Sequence, residues 1–307
     1  MSRRNSLYLI TKLGTVLLAI VLLSSCSIRK MAMNSIAGSF NNAMDVYTSD
    51  NDPQLVKDAM PSSLKMIEML LANSPDNVDL LTAAAGGFTM YSHAFLVQEA
   101  DYVEEQDLKK ARQMRAEGKK LFLRARDYGL HGLDVNHPGL PDSLEADTTH
   151  ALDNTTEADI PLMYYTAAAW GSAISLNTDD YELILDLPKV KKLINRCLQL
   201  DESWGDGQLH EFMISFAAGT ATLGGSLKAA ERHFHRALEI NEGHSAGTYV
   251  TAAEAIAVKQ QDKAQFREWL NKALAIDVDK YPNMRLMNVL AQERATWLLN
   301  HMDKYFI

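Results

Sequence analysis

The chain has 307 residues, of which 47% are hydrophobic and 22% charged, and a formal net charge of −9 at pH 7. An acidic surface repels nucleic-acid phosphates and anionic lipid headgroups, so neither is expected as a partner. The length is ample for one continuous core, and two cysteines, Cys26 and Cys197, are too few for a disulfide framework.

The amino terminus carries Arg3, Arg4 and Lys12, then an apolar run from Leu13 to Leu23, then Leu23-Ser24-Ser25-Cys26. A basic start, a short apolar stretch and small residues before a cut form an export signal. The Cys after the small residues makes this pattern resemble a bacterial lipobox. Residues 1–25 are then a signal peptide, Cys26 is the lipidated first residue of the mature chain, and 26–33 form a tether. Several acyl chains hold a protein to a membrane where one alone is marginal. Ser27, rather than Asp, follows the Cys, which points to the outer membrane with the body in the periplasm. Loss of the signal removes three positive charges and takes the net charge from −9 to about −12. No later segment is expected to cross a bilayer, and with one remaining thiol the domain must be held by packing.

From residue 34 onward the pattern is all-α. Ala, Leu, Met and Glu recur with helical spacing, and alternating β-branched runs are missing. Pro53, Pro61, Pro75, Pro161, Pro188 and Pro282 are expected near helix starts, where a missing N–H costs little. Glycines at 129–139 and at Gly224-Gly225 are expected in turns.

The helices repeat. Ser63, Ile67, Leu70, Leu71 and Ser74 show a small residue, a large one, another pair and a turn residue. The pattern returns faintly at Gly118, Phe122 and Ala125. It is clear at Val190, Ile194, Cys197, Leu198 and Asp201; at Ala230, Phe234, Ala237, Leu238 and Asn241; and at Phe266, Leu270, Ala273, Leu274 and Asp277. This is the second helix of a tetratricopeptide-like hairpin. The first helices are rich in small residues, at Thr82–Gly87, Thr166–Ala169, Ala217–Ala221 and Thr251–Ala257. Stacked hairpins of this kind bury a continuous core and present a concave face. The expectation is a single superhelical domain over 34–307, with a long charged helix over 104–128. The polar segment 129–160 has no period, and its length marks it as a functional loop or a cap over a cavity.

Few residues fall into patterns that carry chemistry. Segment 129–160 holds His131, His137, Asp142, Glu145, Asp147, His150, Asp153 and Asp159, but without zinc or calcium spacing, so no metal site is expected. There is no nucleophile elbow, phosphate loop or cofactor motif, and nothing points to an enzyme. His233 and His235 read as rim positions. Ser226 reads as a helix N-cap and Cys197 as a packed small group. Tyr164, Tyr165 and Trp170, which open a first helix, and Phe88 and Tyr91 are candidates for a cavity wall or for core. His210 and Glu211 are candidates to line a groove. The aromatic content suggests an apolar or amphipathic organic acid as ligand.

Several stretches resemble one family, the T-component of tetratricopeptide-associated TRAP transporters, or TatT. They are Asp159-Ile160-Pro161-Leu162-Met163-Tyr164-Tyr165 with Ala167 to Gly171; Leu209-His210-Glu211; Leu223-Gly224-Gly225 and the helix Ala229 to Leu238; and Asn288 to Ala291 with Arg294, Ala295, Leu298 and Leu299. The resemblance implies a periplasmic lipoprotein that associates with an extracytoplasmic solute-binding protein of a TRAP system. It also implies a homotrimer whose subunits each carry a cavity or pore for ligand passage. The alternative is a scaffold lipoprotein that binds envelope proteins along an open groove, with no tunnel.

Overall fold

The computed structural model describes residues 46–146, 150–177, 179–220 and 224–307; the lipobox with Cys26, and also Asp147 and Leu223, lie outside them. Among the described residues every regular element is a helix. In chain order these are α1 (Pro53–Leu71), α2 (Val78–Val103), α3 (Leu108–Asn136), α4 (Leu140–Glu145) and α5 (Ile160–Ser175). Then follow α6 (Tyr181–Ile184), α7 (Leu187–Leu200), α8 (Gln208–Gly219) and α9 (Leu227–Ile240). The helix α10 runs from Ala246–Ala252 through a π turn at Ala253–Ala257 to Val258–Gln260. The chain closes with α11 (Lys263–Leu274) and α12 (Arg285–Asn300).

Side-chain caps start many of these helices. Asp52, Asn77, Asp107, Ser226, Ser245 and Asp262 each accept a backbone N–H of the first turn. The repeat positions are core positions. Ile67, Phe122, Ile194, Phe234 and Leu270 are buried, as are the small residues Val190, Ala230, Ala237 and Ala273. Each hairpin pairs a first helix with the next repeat helix, namely α2 with α3, α5 with α7, α8 with α9 and α10 with α11.

The first helices also pack side by side, α2 on α5, α5 on α8, α8 on α10 and α10 on α12. Then α12 returns to the beginning. Leu286 and Leu290 share one apolar cluster with Val56 and Met60 of α1 and Ala94 and Phe95 of α2. The Gln98 side chain donates to the Leu290 carbonyl, and Arg294 bridges Asp101 of α2 (2.9 Å) and Glu254 of α10 (2.6 Å). The superhelix is therefore shut into a ring.

The structure departs from several expectations. Residues 129–136 are not loop but the last turns of α3. Gly129 and Gly132 read as turn signals, yet they are contact residues. A Cβ on Gly129 would lie 2.0 Å from Thr166 Oγ1, and one on Gly132 2.8 Å from Leu162. The described parts of the remainder, 137–146 and 150–160, are tied to the core at several points. Leu140, Leu144 and Leu152 are buried in the main core. Asn136 donates to Asp159, and Arg196 binds Thr155 Oγ1 and the carbonyls of Asp153 and Thr155. The charged helix begins at Leu108, after a turn, rather than at 104. Pro61 lies inside α1, on its exposed face, where its ring meets solvent rather than core. Finally, α2 is long and apolar enough to cross a membrane, contrary to the expectation that no such segment follows the signal. Its composition answers to burial instead, since Leu80, Leu81, Ala84, Ala85, Phe88 and Phe95 are core residues.

Candidate functional site

The inner ring concentrates the chemistry. In α5, Tyr164 and Tyr165 are crowded by protein on nearly every side, yet each keeps part of its surface open. No described residue hydrogen-bonds either hydroxyl. A deep side chain with an open face lines an internal space, and burial pushes both phenols to higher pKa. Tyr165 reaches the backbone of α2, where a Cβ on Gly86 would sit 3.0 Å from its ring.

Trp204 completes the cluster. Its ring lies 5.1 Å from that of Tyr164 at 55°, and 6.3 Å from Tyr165 at 79°; the two tyrosines are 5.4 Å apart at 60°. The three rings are mutually inclined, like walls meeting at a corner. A strained turn places the indole. Gly205, Asp206 and Gly207 have φ of 65°, 53° and 90°. Asp206 has no glycine freedom to excuse its left-handed backbone, and strain of this kind persists where the surrounding structure holds it. Sequence reasoning missed Trp204, which lies outside the repeat pattern.

Glu211, one turn into α8, faces the same interior. Its carboxylate accepts from Thr248 Oγ1 (2.9 Å) and Ser245 Oγ (3.2 Å) at the start of α10. Burial raises its pKa, and the two hydroxyl donors offset only part of that. Gly247 lets α10 come this close, because a Cβ there would sit 2.8 Å from Glu211 Oε1. In α2, His93 is crowded by protein and still exposed; burial, reinforced by Arg294, lowers its pKa. It opens a π turn, His93–Val97, and the second π turn, Ala253–Ala257, also belongs to the ring. Such turns re-aim side chains and recur at functional sites.

The other sequence candidates lie elsewhere. Phe88 is buried, stacked on Tyr128 with Arg124 above it. Trp170 is buried too, its Nε1 donating to Asp186 Oδ2 (3.1 Å) between Arg126 and Lys189. Both have their rings engaged by neighbouring side chains, and Trp170 its N–H as well. Tyr91 is half-buried against Phe95. His210 is 6% exposed and shares one proton with His233, Nδ1 to Nδ1 at 2.9 Å, while its Nε2 lies 3.3 Å from Glu202. Burial lowers the pKa of both, that of His233 to about 4 with help from a charge on His210. His233 is thus a helix-pairing residue rather than a rim position. Cys197 is fully buried and its thiol is pushed up to about 12 by burial, which makes it a packing group. Among the described residues no three His, Cys, Asp or Glu side chains converge as a metal set would.

An open groove of about 370 Å³ lies apart from this site, between α9 and α11. It belongs to the second core cluster, whereas Tyr164 packs on the first.

The family model described as the TRAP transporter T-component matches residues 49–306. The chain is also 25% identical over 306 residues to an uncharacterized protein of Treponema pallidum (strain Nichols), covering 94% of this chain and 95% of that one.

Proposed function

The protein belongs to the TRAP transporter T-component family, and from that premise we propose that it is a lipid-anchored periplasmic accessory that hands a small organic ligand through its ring. A T-component serves a TRAP transport system, and the finer reading adds a partner and a route. The partner is the system's extracytoplasmic solute-binding protein. The route is the space enclosed by α2, α5, α8, α10 and α12, past Tyr164, Tyr165, Trp204 and Glu211. The observation that carries this reading is the return of α12 onto α1 and α2, which encloses accessible polar and aromatic side chains inside the ring. The scaffold alternative asks for an open concave face, and the contact of α12 with α1 and α2 supports the ring reading instead.

The anchor is Cys26 at the outer membrane, and the assembly is a homotrimer. Transport is driven by membrane subunits elsewhere in the system, so this chain needs no catalytic group. The test is direct. The processed protein is mixed with the solute-binding protein of its own TRAP system, and mass is measured by ultracentrifugation. A trimer that takes up about one binding protein per subunit is expected. A monomer, or no complex with ligand present, overturns the assembly reading. Retained binding together with lost ligand transfer in Tyr164→Ala and Trp204→Ala locates the route; unchanged transfer removes it from this site.

A further inference from the structure

The groove between α9 and α11 is a second place where a small molecule fits, and it is independent of the ring interior. Its floor is aromatic. The Phe234 ring lies 4.7 Å from that of Trp269 at 52°, and 6.1 Å from that of Tyr249 at 73°. Phe234 and Trp269 are buried, so they are fixed walls, while Tyr249 is partly open. A volume of about 370 Å³ lies within the range of small-ligand sites.

Two polar features give the groove a sign. Gln265 lines it, and its Oε1 is fully enclosed with no hydrogen-bond partner among the described residues. A buried acceptor left empty is costly, and a ligand that brings an N–H donor removes that cost. The charges on the two walls are unequal. Lys272, from α11, is already paired with Glu268 at 2.7 Å. Glu231, from α9, accepts from the neutral Gln260 amide at 2.7 Å and has no cation beside it among the described residues. The uncompensated charge at the groove is therefore negative. Aromatic faces attract cations through their quadrupole, more strongly when water is excluded.

We propose that this groove binds a small organic ammonium with an apolar body. Its ammonium group pairs with Glu231, a turn of the half-buried Gln265 amide brings Oε1 to it, and its apolar body rests on Trp269, Phe234 and Tyr249. An anion would have to displace Glu268 from Lys272 and would sit beside the Glu231 carboxylate.

Calorimetric titration of the whole processed protein tests this, with phenethylammonium as probe and 3-phenylpropanoate as its anionic counterpart. Saturable binding of the ammonium is expected, with the carboxylate at least tenfold weaker. Gln265→Leu keeps the shape and removes the acceptor, and is expected to weaken phenethylammonium about tenfold. Glu231→Gln, on the groove's other wall, is expected to weaken it and to remove its salt dependence. Tyr164→Ala, in the ring, is expected to leave it unchanged, which separates this site from the ligand route. No saturable ammonium binding up to millimolar concentration, equal binding of the carboxylate, or an unaltered affinity in both groove variants overturns the proposal.

Discussion

Arg294→Met tests whether the ring is held shut by the contact between its ends. The Arg294 side chain is 11% exposed and donates to Glu254 Oε1 from both Nε (3.2 Å) and Nη2 (2.6 Å), with Asp101 Oδ2 at 2.9 Å. Its guanidinium also sits 4.8 Å from the Trp297 ring centre. Met fills similar space without charge. Asp101 keeps a second cation, since Arg115 lies 2.7 Å from its other oxygen, whereas Glu254 is left half-buried and alone. Breaking a buried pair from one side costs about 3–5 kcal/mol. Because a third of the Glu254 side chain is exposed, water recovers part of this, and about 2–4 kcal/mol of lost stability is expected. At about 2–4 °C per kcal/mol for a domain of this size, the loss is plain in a melting curve. The double variant Arg294→Met with Glu254→Gln removes the orphaned charge and should recover more than half of the loss. Small-angle scattering should show the single variant expanding as α12 leaves α2. A melting temperature within about 1 °C of the parent, or a double variant no better than the single one, refutes the lock.

Gly129→Ala drives a Cβ to 2.0 Å from Thr166 Oγ1, and is expected to cost about 1–3 kcal/mol even after the gain in helix propensity; Thr166→Ala in the same chain should recover part of it, while Gly219→Ala, where nothing lies within 4 Å, should not destabilise. Equal stability of all three variants in denaturant titrations would contradict the close approach of α3 to α5. The raised pKa of Glu211 means that its native state prefers the protonated form, so its contribution is present at low pH and is lost as pH rises through the unfolded and then the native value. Glu211→Gln should therefore match the parent near pH 4 and exceed it at pH 7 by about 1–3 kcal/mol, the scale of a buried polar group whose partners compensate it incompletely; a variant no more stable than the parent in denaturant titrations at pH 7 would show that the carboxylate is fully served. The lowered pKa of His233, to about 4, works the other way: stability is full above about pH 6.5 and falls as acid charges the unfolded imidazole, by up to about 2 kcal/mol given its partial exposure. His233→Asn should flatten that acid limb, and an unchanged limb would assign the loss to other groups. Cys26→Ala should abolish acylation and release the protein from membranes, and membrane retention would refute the anchor.

Much of the architecture is written in the sequence, because burial selects residues at fixed spacing. The small-large-small-Leu pattern marks α7, α9 and α11 without ambiguity, since Val190 and Ile194, Ala230 and Phe234, and Phe266 and Leu270 must face their neighbours. The first helices were legible only as small-residue runs. The ring itself was not legible, because its closure joins residues about 190 positions apart, such as Gln98 and Leu290, and no local period reports such a contact. Glycine misled for a physical reason. A turn glycine and a contact glycine look alike in one sequence, yet Gly139 has a φ of 83° with empty space around it, while Gly129 is helical and pressed against Thr166.

The aromatic residues divide by what their polar atoms can reach, which composition cannot encode. Trp170 and Tyr164 lie six residues apart on one helix, and each is a large amphipathic ring. Trp170 has Asp186 within 3.1 Å of its N–H and two cations near its ring, so its needs are met by the fold. Tyr164 meets Tyr165 and Trp204 by their rings alone, and its hydroxyl is left to the interior. A buried polar atom without a protein partner must be served by water or ligand. That difference, and not aromaticity, separates a wall of the ring from its masonry. The same criterion applies to Gln265 in the outer groove, where the unmet atom is an acceptor without a hydrogen-bond partner. The two proposed sites therefore ask for different molecules. The ring offers open phenol hydroxyls beside a carboxyl that burial favours in its neutral form, whereas the groove offers a negative charge and a vacant acceptor above aromatic faces. One ligand that satisfied both sites equally would contradict this division.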